Sequence, residues 1–189
     1  MTISEAQRDV RATFIGGFAG QLVSSFIWSV SAGLATWYSI RAGIVMLVGG
    51  GFFIFLLTQL LLRAMGGPSS LPKGHPMNGL AIQIAFTVPL SLPLIAAATI
   101  HQLRWFYPAF MIVVGAHYLP FIFLYGMRQF GVLAGILVSA GLLIGQYVPS
   151  SFSLGGWLTA VTLLVFAFLE RRTALKERKD LTGGVRVMA

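Results

Sequence analysis

The sequence predicts an all-α polytopic membrane protein, a bundle of six transmembrane helices with both termini cytoplasmic. Three observations carry that expectation. The 189 residues are 57% hydrophobic and only 10% charged, where soluble domains carry roughly 25% charged residues, so lipid must cover most of the surface. Six apolar segments can be drawn, at about 14–36, 43–62, 79–99, 107–126, 130–148 and 154–170. Each is close to the roughly 20 residues that a helix needs to cross a bilayer. The basic residues fall almost wholly on one side of these spans.

That asymmetry sets the orientation. The connections YSIRA, HQLRWF and PSSFS contain only Arg41 and Arg104 as basic residues. The opposite side has both termini, the 63–78 loop and the 127–129 turn, and it holds the other 11 of 13 lysines and arginines. An excess of this size marks the cytoplasmic face. Trp37, Tyr38, Trp105, Tyr107, Tyr147 and Trp157 fall at the opposite ends of their spans, where interfacial aromatic rings are expected. The net charge of +8 is therefore assigned to topology and to anionic lipid at the cytoplasmic face, not to nucleic acid.

Taken in order, the N-terminal MTISEAQRDVRATF precedes a first span too long for a signal-peptide core, so that span is read as retained. It contains Gly16 and Gly20 at four-residue spacing, and the fifth span contains Gly131, Gly135 and Ser139. Small residues so spaced let helix backbones approach closely in lipid, within the chain or between protomers of a homo-oligomer. After the sixth span, 171–189 forms a basic cytoplasmic tail, read as a helical extension that Gly183–Gly184 would end. The whole chain, 1–189, reads as a single transmembrane domain.

The third and fourth spans hold the site candidates. Pro89 and Pro93 deprive the carbonyls of Ala85 and Pro89 of their amide partners, and Pro120 does the same to Ala116. Gln83, Thr87 and Ser91 stand nearby as substitute donors. His117 is the one imidazole at the middle of a span, and a polar side chain there is costly unless paired or hydrated. Tyr107 and Tyr125 are explained as interfacial anchors, His117 is not. Around its helix, Tyr118 and Arg128 share about a third of the circumference with it. The expectation is a small polar cavity between the third and fourth spans, with His117, Tyr118, Gln83, Thr87 and Arg128 as candidates.

What is missing restricts function further. All five acids, Glu5, Asp9, Glu170, Glu177 and Asp180, fall at or beyond span ends, which disfavours carriers driven through an intramembrane carboxylate. His75, His101 and His117 lie at different depths and cannot converge on one metal, and there is no cysteine. No nucleophile motif, phosphate loop or dinucleotide fingerprint is present. No catalytic residue, cofactor or metal is assigned, and an enzyme is not favoured.

The segments NGLAIQIAFTVPLSLPL and RWFYPAFMIVVGAHYLPFIFLYGMR resemble an uncharacterised family of short bacterial integral membrane proteins, a domain of unknown function. The resemblance implies a bacterial cytoplasmic membrane and no known activity. In the family pattern a carboxylate often stands at the place of Gln83 and an arginine at that of His117, so this chain has an amide and an imidazole where an ion pair would stand. Three functions remain in play. They are a small-solute transporter or permeation protein using the cavity, a non-catalytic membrane scaffold, and an intramembrane enzyme acting on lipid.

Overall fold

In the computed structural model, residues 1–148 and 151–187 are described, with side chains to Glu177. Most side chains of the basic tail, and Pro149 and Ser150 of the last loop, lie outside the described residues. The elements are α1 (Ile3–Phe14), α2 (Phe18–Trp37), α3 (Ile40–Ala64), α4 (Asn78–His101), α5 (Phe106–Tyr125), α6 (Gln129–Tyr147) and α7 (Leu154–Val187), with single 3-10 turns at Ile15–Gly17 and Leu103–Trp105. Six helices are long and apolar enough to cross a membrane, and α2–α7 overlap the six apolar segments. The two described chain ends meet at one end of the bundle, where α1 packs on α5 and α7.

The N-terminal helix α1 went unrecognised in the sequence. Its start is a reciprocal cap: the Thr2 hydroxyl accepts from the Glu5 amide at 3.3 Å, and the Glu5 carboxylate accepts from the Thr2 amide at 2.7 Å. Ala6, Val10 and Thr13 are buried along one face. The helix then breaks where Ile15, Gly16 and Gly17 take φ of 51°, 67° and 91°. The expected first span is corrected accordingly. It does not run unbroken from residue 14, and Gly16 belongs to the break, not to a membrane helix.

Four helices, α2, α5, α6 and α7, form the packed body, with α3 laid on α2 and α4 on α5. Glycines permit the closest approaches. A Cβ at Gly141 would sit 2.9 Å from the Pro108 carbonyl, and one at Gly156 would sit 2.9 Å from the Ala32 methyl. Gly131 faces Ile122 at 3.1 Å, but Gly135 has nothing within 4 Å and Ser139 is exposed. Within the chain, then, the fifth span packs through Gly131, Gly141 and Gly145, and the Gly135–Ser139 part of its small face looks outward.

Three further expectations are corrected. Tyr107 and Tyr125 are not interfacial anchors: they are 0% and 5% exposed, and the Tyr107 hydroxyl pairs with that of Ser31 at 2.6 Å. Thr87 and Ser91 do not serve the carbonyls freed by proline. Their hydroxyls donate to Gln83 and Thr87 carbonyls of the same helix, at 3.5 and 2.8 Å. The last helix passes Gly183–Gly184 and ends at Val187.

Candidate functional site

The bundle has one flank that does not close. Because α3 packs on α2 and α4 on α5, with α3 and α4 barely touching, a cavity of about 400 Å³ opens sideways between them. Its rim includes Phe52 and Phe55, which are 65% and 70% exposed. The linker between α3 and α4 folds back over the end nearest the termini, burying Leu71, His75 and Met77, and the His75 ring stands 3.6 Å from the Asp9 carboxylate of α1. At the same end α1 is pinned across the bundle. Gln7 donates to the Phe123 carbonyl at 2.6 Å, and Arg11 donates to the Tyr125 carbonyl and, at 2.7 Å, to the Glu177 carboxylate. These donors occupy carbonyls that the end of α5 would otherwise leave unpaired.

The walls have a polar and an apolar half. Gln21 early in α2, Thr58 and Gln59 late in α3, and Tyr118 and Tyr125 late in α5 place the polar groups toward the terminal end. Trp28, Leu47, Leu92 and Phe110 line the far half. No aspartate, glutamate, lysine or arginine is among the lining residues. Several polar atoms are buried without any partner: Gln21 Oε1, Thr58 Oγ1 and His117 Nδ1. His117 lies beside Ile84 of α4. Ala85 and Pro89, whose carbonyls proline leaves free, also line the space.

Of the residues expected to share a cavity, His117 and Tyr118 line this one. Gln83, Thr87 and Arg128 do not: Gln83 is exposed, Thr87 bonds within its own helix, and Arg128 is exposed at the start of α6. The cavity also draws on α2 and α3, not on the third and fourth spans alone.

The residue most at odds with its sequence reading is Glu170. By sequence it stands at the end of the sixth span, next to the basic tail, yet it is 0% exposed inside the bundle. Its Oε2 accepts from Gln21 Nε2 at 2.7 Å, and its Oε1 has no partner. The helix break brings this about. Gly16 lies so close to α7 that a Cβ there would stand 2.8 Å from the Glu170 carbonyl, and one at Gly17 would stand 3.6 Å from the carboxylate. The positive φ angles favour glycine at both positions, and at Gly16 an added methyl would also collide with the α7 backbone. Among the described residues no cation lies within 4.0 Å of Glu170, and no cluster of three His, Cys, Asp or Glu side chains gathers as a metal site requires.

Such an arrangement can bind but shows no reacting constellation. An amide and an imidazole line the cavity, with a buried carboxyl behind the amide, and among the described residues no nucleophile stands beside a base. No curated protein and no solved structure matches the chain. The profile described as "Family of unknown function (DUF7010)" matches residues 3–172, and the chain, with its six apolar helices, belongs to that family of unknown function.

Proposed function

We propose that this membrane protein binds a small amphipathic molecule that reaches the cavity sideways from the bilayer, through the gap between α3 and α4. The observation that carries this reading is the division of the walls, with unpartnered polar atoms at the terminal end and apolar side chains beyond them. With both termini cytoplasmic, as the basic-residue asymmetry implies, the polar end lies toward the inner leaflet surface and the apolar end toward mid-membrane. An inner-leaflet amphiphile has the same polarity along the same axis. The cavity's 400 Å³ falls within the range of about 300–1,000 Å³ of small-molecule sites. A permeation path for a polar solute is less favoured, because the far half, the Trp28 indole apart, is lined by apolar side chains that cannot stand in for water. Binding without chemistry fits the absence of a nucleophile better than a lipid-acting enzyme does.

The orientation is testable by cysteine substitution in intact bacteria. Cysteines at Ser39 and Ser151 are expected to react with a membrane-impermeant reagent from outside, and one at Ser70 only after permeabilisation. Labelling of Ser70 from outside would overturn it.

The binding reading is testable in nanodiscs through Trp28, which lines the cavity and is 2% exposed. A dodecyl alcohol with bromine at its tail is expected to quench Trp28 emission saturably, with no saturable component in Trp28→Phe. Gly51 lines the cavity with nothing within 4 Å of an added Cβ, so Gly51→Phe is expected to fill the space, abolish quenching and leave the bundle folded. Quenching that rises linearly with membrane content, equal in wild type and Gly51→Phe, would show lipid contact only and end this reading.

A further inference from the structure

The chemistry of the polar end restricts the occupant's head. Of the unpartnered atoms there, Gln21 Oε1 can only accept a hydrogen bond. His117 Nδ1 accepts when the proton is on the other ring nitrogen. The carbonyls of Ala85 and Pro89, left free by Pro89 and Pro93, accept as well. Thr58 supplies a hydroxyl that can do either. The wall therefore offers acceptors in excess and calls for a donor.

It also calls for positive charge. Gln21 is 2% exposed and donates its amide to Glu170, so the acceptor it presents is the outer end of a hydrogen bond to a buried carboxyl. Behind it stands a fully buried carboxyl with no cation within 4.0 Å among the described residues. A buried carboxylate is costly unless compensated. Arg11 is paired with Glu177, and the Arg171 guanidinium lies over the Phe18 ring at 4.9 Å with its Nε buried and unpartnered. Tyr118, Phe121, Tyr125 and Phe130 form a contiguous aromatic group at the same end, and ring faces attract cations.

We infer that the occupant is an amphipathic cation, an alkylammonium whose N–H groups bond Gln21 and His117 and whose charge is compensated by Glu170 behind Gln21. This rests on the lateral-binding reading above and adds the charge and donor character of the head. It also gives a role to a buried carboxyl that no contact within the chain neutralises.

The test uses one tail and four heads in the same Trp28 assay in nanodiscs: bromododecyl ammonium, trimethylammonium, alcohol and carboxylate. At equal membrane content, the ammonium is expected to half-saturate at no more than a tenth of the alcohol's concentration. The trimethylammonium, which has charge but no donor, should fall between them, and the carboxylate should give no saturable quenching. Glu170→Gln is expected to bring the ammonium to the alcohol's level while leaving the alcohol unchanged. If the alcohol saturates and the ammonium binds no more tightly, the cationic head is wrong and the lateral site stands. If Glu170→Gln folds and keeps the preference, Glu170 does not compensate the charge and the inference is wrong at that residue, while the lateral site stands. If no probe saturates, the site itself is wrong and this inference goes with it. Should Glu170→Gln fail to fold, the wild-type series of four heads decides alone.

Discussion

Replacing Gly16 by alanine is expected to destabilise the protein by about 2–6 kcal/mol, combining left-handed strain of about 1–3 with overpacking of about 1–3. Both terms are visible at that residue. Its φ is 67°, and the added methyl would stand 2.8 Å from the Glu170 carbonyl and 3.2 Å from the Ala174 Cβ. The offending atom is backbone in a long helix, so it cannot swing aside as a side-chain tip would. Gly20 supplies the control one turn later. It lies inside α2, and a methyl there meets only Thr58 at 3.9 Å. Gly20→Ala should therefore be neutral or stabilising by about 0.5–1 kcal/mol through helix propensity. The measurement is thermal unfolding in a mild detergent for both variants. Equal melting temperatures for Gly16→Ala and wild type would show that the break does not hold α7 against α2.

The contrast between Gly16 and Gly20 also shows where the sequence could be read and where it could not. Hydropathy needs no partner, so the six spans and their alternating loops followed from composition and length. The four-residue spacing of two glycines resembles a packing motif, yet one glycine breaks the chain and the other faces the cavity. Spacing fixes which residues share a helix face only if the helix is continuous. The break has its own marker in the sequence, a capping pattern at Thr2–Glu5 that starts a separate helix well before the first span. His117 and Tyr118 were legible because a polar group at mid-depth is conspicuous. Gln21, Thr58 and Gln59 were equally polar within apolar runs, but which helices would face one another is a tertiary fact. Gln83 and Thr87 were misplaced for the same reason. They lie on α4 near His117 in depth, but not on the face of α4 that lines the cavity.

Glu170 was hidden by its neighbours. Followed by Arg171 and Arg172, it reads as the start of a solvated tail, and its burial depends on a helix break some 150 residues earlier. Its energetics lead to the second expected result. Gln21→Leu removes the donor that a buried carboxyl has among the described residues and should cost about 3 kcal/mol, the upper end for a buried polar group left unsatisfied. Glu170→Leu leaves behind only an unpaired amide and should cost less, about 1–3 kcal/mol. The double variant removes both polar groups and puts similar volume in their place, so it should recover to near wild type, because well-packed apolar substitutes for buried polar pairs are often neutral or better. Unfolding midpoints of the four proteins give the coupling directly. Additive losses would mean that the 2.7 Å contact between Gln21 and Glu170 does not govern either residue. If the double variant is as stable as wild type, packing does not require a carboxyl at this depth. The Trp28 assay on that stable double variant then separates the remaining roles: loss of the ammonium preference with retained alcohol binding places the carboxyl's use in recognition of the head.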